Sequence, residues 1–317
     1  MHRAISILLL VISFSLSCSS NSSPHVSSST VPLGSPTTDK QQNRNTQLQN
    51  EFAEIAKQAR GRVGVAAKLL ESNQTVSLNS AEHFPMQSVY KLPISMAVLQ
   101  QVDHGKLKLD QRVRVAKDDF IGTNAHSPIR DKFPDGVELS LSDLLRYAIS
   151  ESDGTASDVL MKVAGGPEII QSFLTALGIE DVKIIDTEKA IAQDRSLQYR
   201  NWATPDAAVA LLESLDEKRS LSQRSQALLM KLMAESTPGK NRLKGLLPAG
   251  TYVAHKTGTS GTQNGVTAAT NDIGIITLPS GQHVAIAVFV SESPADEATR
   301  ERVIAQLAKK VFDTWKS

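Results

Sequence analysis

The sequence predicts an α+β fold: a five-stranded antiparallel sheet flanked by terminal helices, with an all-α lobe inserted between its strands. Three observations carry this. Two strand-like runs lie early in the globular part and three more after residue 250; the stretch between them has helical apolar spacing; and each end carries an amphipathic helix. At 317 residues with 40% hydrophobic content, the chain can bury a substantial core.

The first element precedes the fold. "MHRAISILLLVISFSLSCSS" has a short basic start, an apolar run from Ala4 to Leu16 and then small residues, the pattern of an export signal over 1–18. The sole cysteine, Cys18, closes it, so no internal disulfide can form. "SLSC" is similar to a bacterial lipobox with Ser15 where leucine is usual; acylation of Cys18 and ordinary cleavage nearby are both open. Residues 19–47 are Ser/Thr/Asn/Pro-rich and are expected to form a disordered tether. Residues 48–317 are expected to form the globular part: an α/β lobe from about 48–85 and 240–317, and an all-α lobe from about 86–239.

In order, Leu48, Phe52, Ile55, Ala56 and Ala59 fall at helical spacing, and Gly61 ends that helix. Residues 62–70 and 74–79 read as paired strands. Residues 86–104, 140–149, 155–164, 167–177, 204–215 and 222–234 read as helices, with Pro93 expected to kink the first. Strands are expected at 251–260, 272–278 and 283–291, the last two joined by "PSG". The run 284–290 is apolar throughout, which predicts a sheet covered on both faces. The last helix is expected to begin at "SPAD", with Ser293 as its cap.

The charge balance is even, 34 basic against 33 acidic residues, so nothing suggests a nucleic-acid partner and none is expected. Aromatics at 4% argue against a binder that stacks sugars or bases. The seven histidines show neither H-x-H nor H-E-x-x-H, so neither metal nor cofactor is expected.

Four stretches carry chemistry together. "SVYK" places Ser88 and Lys91 on one helical face, where an amine activates a hydroxyl as a nucleophile. "SESDGTASD" (150–158) holds Ser152 after a helix end; "DTEKAIAQD" (186–194) holds Glu188 between helices; "HKTGTSG" (255–261) holds Lys256 on a strand. Each alone is an ordinary helix face, turn or strand end. Their order and separation in one chain are not ordinary.

In these stretches, and in "QYRNWATP" (198–205) and "VAHKTGTSG" (253–261), the chain resembles the class A serine β-lactamases, closest to the extended-spectrum cephalosporinase branch, over about residues 48–317. The resemblance implies a two-lobed serine β-lactamase/DD-peptidase-like fold with the site between the lobes. It implies that Ser88 attacks the β-lactam carbonyl, with Lys91 and Glu188, the latter through a water, as alternative acylation bases. The backbone N–H groups of Ser88 and Thr259 would form the oxyanion hole. Ser152 would relay a proton to the departing nitrogen beside Lys256. Thr257 and Thr259, with Lys256, would bind the substrate carboxylate, and Arg242 either joins them or is a solvated surface arginine. Two positions depart from the pattern: Gly154 where the family has Asn, and Ala192 where it often has a second anchor for the hydrolytic water. Asp153 and Asp158 are expected to hold local backbone.

The function expected is hydrolysis of penicillins and cephalosporins through a serine acyl-enzyme, giving antibiotic resistance. The rivals are a penicillin-binding DD-peptidase and a non-catalytic binding lipoprotein. The export signal implies a periplasmic location, membrane-anchored if Cys18 is acylated, and a monomer is the default.

Overall fold

The computed structural model describes residues 36–217 and 219–316, with side chains from residue 44. The export signal and Cys18 lie outside the described residues. The chain starts with α1 (Pro36–Lys57), β1 (Arg62–Leu69), β2 (Gln74–Leu78) and β3 (Phe84–Pro85). A 3-10 turn (Gln87–Tyr90) leads into α2 (Lys91–Asp103), β4 (Arg112–Val115), α3 (Pro128–Lys132) and β5 (Val137–Ser140). Next come α4 (Leu141–Ser150), α5 (Gly154–Ala164), α6 (Pro167–Ala176), β6 (Val182–Lys183) and α7 (Glu188–Gln193). A second 3-10 turn (Arg195–Tyr199) precedes β7 (Trp202–Ala203), α8 (Pro205–Asp216) and α9 (Gln223–Ala234). The chain closes with β8 (Val253–Thr259), β9 (Thr262–Gln263), β10 (Val266–Thr267), β11 (Thr270–Thr277), β12 (His283–Ser291) and α10 (Glu297–Trp315).

The main sheet has the order β2-β1-β12-β11-β8 and is antiparallel throughout, as expected. Its two-sided burial is read from β12: Val284, Ile286, Val288 and Val290 face the core under α1 and α10, while Ala285, Ala287 and Phe289 face the larger core on the other side. Period-2 alternation with apolar residues at both phases gives this result. Asn45 and Gln49 on α1 donate to the Thr75 and Ser77 carbonyls at 3.2 and 3.4 Å, blunting the exposed edge at β2.

Several expectations are corrected. Residues 36–47, assigned to the tether, continue α1: Pro36 suits a helix start, the following Lys and Gln residues are good helix formers, and buried Leu48 and Phe52 anchor the rest. The lobe at 86–239 is not all helical, because β4–β5 and the small sheet β3-β7-β6 lie within or against it. Helix α8 packs on β1 and β12, so it belongs to the sheet's cover. The cap of α10 is Asp296, which accepts from the Thr299 N–H at 2.7 Å. Ser293 instead donates to the Ala59 carbonyl, where it ties the end of β12 to the end of α1. Pro93 falls in the first turn of α2, where its missing N–H costs no intrahelical bond.

Candidate active site

Ser88 sits in the 3-10 turn ahead of α2, not on the α-helix, but i and i+3 still share a face there. Lys91, the first residue of α2 and only 1% exposed, donates to Ser88 Oγ at 2.5 Å. Gln87, just before the nucleophile, holds φ at +49°, a sparsely populated conformation for a residue with a side chain. Two contacts fix this turn to the sheet. Asn271 of β11 donates to the Pro85 and Met86 carbonyls at 2.8 and 3.1 Å. Gly258 of β8 lies so close that a Cβ there would stand 2.3 Å from the Met86 carbonyl oxygen. The glycine of "KTG" is therefore a packing requirement: it lets the edge strand reach the serine turn.

Glu188, expected in a polar stretch between helices, is the first residue of the short helix α7. Its carboxylate pairs with Lys91 Nζ and lies 3.5 Å from Ser88 Oγ. Burial raises this carboxyl, but the charge and hydrogen bond of Lys91 outweigh it and hold the group below the usual carboxylate range. Asp158 of α5 accepts the Glu188 and Lys189 N–H groups, one on each oxygen, at 2.8 Å. Asn201 closes the loop from behind, accepting from Ile185 and Asp186 at 2.8 and 3.0 Å and donating to the Asp186 carbonyl at 2.7 Å.

Ser152 lies between α4 and α5 with φ at +58°. Lys256, fully buried, donates to Ser152 Oγ at 2.9 Å and to the Thr257 carbonyl at 3.1 Å. Burial, and then the like charge on Lys91, push the Lys256 ammonium well below the usual lysine range. Asp153 caps α5 at Ala156 N and takes the Ile129 N–H at 2.6 Å, the backbone-holding part expected of it. His255 points its Nδ1 at Asp272 of β11, 2.9 Å away, as a strand residue facing a neighbour.

Thr259 ends β8, the sheet's edge strand, which among the described residues has no strand beyond it to pair with. Thr257 is buried. Arg242 is neither solvated nor free. It is 3% exposed, its Nε meets Glu301 at 3.1 Å, one terminal nitrogen meets the Gly258 and Asn271 carbonyls, and the other donates to Thr259 Oγ1 at 2.8 Å. It braces Thr259 from behind β8.

Ser88, Lys91, Ser152, Glu188 and Thr259 line one cavity of about 170 Å³. Lys256 backs it through Ser152, and Thr257 and Arg242 stand behind its wall. At the Gly154 departure a Cβ would meet Ile121 Cδ1 at 2.4 Å and Glu188 Cγ at 3.3 Å, so Ile121 occupies the space a side chain would need. At the Ala192 departure, the Ala192 carbonyl accepts from Asn124 at 3.0 Å. Sequence reasoning missed Asn124, Asn201, Asn271 and the Gln87–Gln198 hydrogen bond of 2.7 Å across the cavity. Asn201 stood inside the quoted "QYRNWATP"; the others carried no local signal.

A serine hydroxyl, two buried amines and a carboxylate converge where a two-sided sheet meets a helical lobe, which defines a serine hydrolase with an acyl-transfer site. Residues 47–315 match the model of the beta-lactamase enzyme family. The chain is 43% identical over 257 residues to beta-lactamase VEB-1 of Pseudomonas aeruginosa, covering 80% of this chain and 86% of that protein. It is 42% identical over 266 residues to the extended-spectrum beta-lactamase PER-1 of the same organism, covering 84% and 86%. The crystal structure of TLA-3 extended-spectrum beta-lactamase superposes with a TM-score of 0.84 at 42% identity, covering 86% of this chain and all of that one, 100%. A beta-lactamase structure from Chitinophaga pinensis gives 0.82 at 44% identity, covering 84% and 98%. The chain belongs to the beta-lactamase enzyme family, class A, whose members hydrolyse β-lactams. The DD-peptidase rival finds no support in these relatives.

Proposed function

We propose that the chain opens the β-lactam amide of penicillins and cephalosporins, extended-spectrum ones included, through an acyl-enzyme on Ser88 that water hydrolyses under Glu188. The observation that carries this is the placement of the Glu188 carboxylate against both Lys91 and Ser88. Attack needs the Ser88 proton removed. Lys91 donates to both neighbours, so as an ammonium it can accept that proton only after passing one on, and Glu188 is the acceptor in reach. By either route, directly or through Lys91, the proton passes to Glu188 and the nucleophile is deprotonated at the moment of attack.

The tetrahedral oxyanion is held by the backbone N–H groups of Ser88 and Thr259. One such donor contributes roughly 3 kcal/mol to the barrier. Ser152 hands a proton to the departing ring nitrogen. The proton that Glu188 took passes back through Lys91 to Ser152, which leaves Glu188 ionised, and Lys256, hydrogen-bonded to the Ser152 hydroxyl, supplies the positive field. Lys256, Thr257 and Thr259 hold the substrate carboxylate, with Arg242 acting through Thr259. Glu188, ionised again, then takes a proton from water as it attacks the ester and passes it to the Ser88 oxygen as that leaves.

Ser88→Ala should abolish turnover of a chromogenic cephalosporin. Glu188→Ala should trap an acyl-enzyme visible by intact mass, with steady-state turnover down at least about a thousandfold. Normal turnover in Glu188→Ala would overturn the assignment of the water-activating base. A stable penicillin adduct on the unaltered protein would instead indicate a penicillin-binding protein, and neither adduct nor turnover a binding lipoprotein. Export through residues 1–18, a periplasmic location, acylation of Cys18 and a monomeric state complete the proposal, supported by the apolar run and small residues around Cys18.

A further inference from the structure

We propose that Arg195 is a specificity-determining residue that selects β-lactams carrying an anionic acyl side chain; the inference rests on the hydrolase reading above. Arg195 opens the 3-10 turn that follows α7. It lines the catalytic cavity and also an adjoining cavity of about 140 Å³, with Gln198 and Gly261 shared between the two. It reaches across to Gly261, where a Cβ would stand 2.3 Å from an Arg195 terminal nitrogen. The guanidinium therefore spans from the Glu188 loop to the end of the catalytic edge strand, at the border of both cavities.

Its charge is uncommitted. Arg200 on the same loop pairs with Asp186 at 3.2 Å, Arg242 is buried against Glu301, and Lys91 is paired with Glu188. Among the described residues Arg195 has no hydrogen-bond acceptor, ion-pair partner or ring. The neighbouring Asp194 carboxylate is turned to Ser196, accepting from its N–H and hydroxyl at 2.9 and 2.7 Å. Gln87, Gln198, Gln263 and Asn264, which line the same end of the cleft, are neutral. One positive charge is left facing open space.

The substrate's orientation aims its side chain there. If the acyl carbon sits between Ser88 and Thr259 with the ring carboxylate toward Lys256 and Thr257, as proposed above, the acyl substituent leaves on the other side of the amide, where Ser260 and Gly261 follow Thr259 along the cavity wall. That is the Arg195 end. A guanidinium presents a planar fork of N–H donors that a carboxylate accepts in bidentate fashion, so the matching substrates are cephalosporins whose side-chain oxime ends in a carboxylate. A neutral side chain of the same shape gains nothing from this charge.

The test compares such a cephalosporin with its side-chain methyl ester, which keeps nucleus, leaving group and bulk. The readout is the ratio of kcat/KM for acid over ester. In Arg195→Gln this ratio should fall about fivefold, in Arg195→Glu further still, and Arg195→Lys should restore part of it. In the unaltered protein the ratio should shrink as salt is raised from about 0.01 to 0.5 M, because an exposed charge pair is screened. A ratio unmoved in both Gln and Glu variants, or acid and ester falling together, would overturn the inference and leave Arg195 as a loop brace. If the unaltered protein hydrolyses neither compound, it is the hydrolase reading that fails.

Discussion

At the residue scale, the site depends on a few atoms that have nowhere else to go. Gly258 is the sharpest case. Because a Cβ would stand 2.3 Å from the Met86 carbonyl, Gly258→Ala must push β8 away from the serine turn, and backbone atoms have no rotamer with which to yield. Thr259, next along the strand, would move with it, carrying an oxyanion donor out of place. A shift near 1 Å at a reacting centre lowers rates by about a hundredfold. Gly258→Ala should therefore lose about that factor in kcat/KM while its circular dichroism stays native. A variant with full activity would mean that the close approach is not needed for alignment. The left-handed backbone at Gln87 and Ser152 belongs to the same pattern: each is a side-chain-bearing residue in a sparsely populated conformation directly at the reacting groups.

At the element scale, the loop from β6 to β7 is the piece on which hydrolysis turns, and Asn201 is its clasp. The Asn201 carbonyl oxygen takes two N–H groups, those of Ile185 and Asp186, in a fully buried position. Asn201→Ala leaves both donors unmet, at a cost of about 1–3 kcal/mol each, so the loop should loosen before the whole protein does. The expected outcome is faster hydrogen exchange confined to residues 185–200 and a deacylation rate that falls more than the acylation rate, read by pre-steady-state mass spectrometry. Equal loss in both steps would show that the clasp does not serve Glu188. How much of this was legible in the sequence follows from pattern length. The five long strands and the helices from α4 to α6, α8 and α9 had enough residues to display a period, and Ser88, Lys91, Ser152, Glu188 and Lys256 stood in short stretches whose order carried the meaning. The two-residue strands β3, β6, β7, β9 and β10 are too short for any period. The Gly258 approach, the Ile121 plug at Gly154 and the Arg242–Thr259 contact join residues far apart in sequence, so only the folded chain reveals them. Helix α7 is not among the helices the sequence predicts, because a six-residue helix, capped by Thr187 at Ala190 N, is too short to show an apolar stripe.

At the scale of the whole molecule, the buried charges of the site set the pH dependence of stability, and Asp158 dominates it. Burial and the nearby Glu188 charge raise the Asp158 carboxyl to about 7, against the opposing pull of the Lys189 and Glu188 N–H groups and of Lys91. In the unfolded chain the same group ionises near pH 4, so between about pH 4 and 7 the folded protein holds a proton that the unfolded one has released. Stability must then decline as pH rises through that window and level off above it; about three units of difference correspond to about 4 kcal/mol. His283 acts in the same direction. The hydrogen bond that its ring N–H donates to Asp216 raises its affinity for a proton, so its contribution is present below about pH 6.5 and is lost as pH rises through its folded value. Glu188 acts on the other side: its lowered carboxyl contributes stability above about pH 4.5 that is lost as pH falls. Glu188 sets the acid limit of this decline, and the lowered Lys256 ammonium opposes it on the alkaline side, where the unfolded chain holds a proton that the folded one has released. Denaturant unfolding at pH 5.5 and 8.5 should give a lower free energy at 8.5. In Asp158→Asn, which cannot ionise, that difference should shrink by more than half, while His283→Gln should remove a smaller part. An unchanged slope in Asp158→Asn would mean that Asp158 is ionised throughout, and that the carboxylate holding the Glu188 helix carries its charge without penalty to the fold.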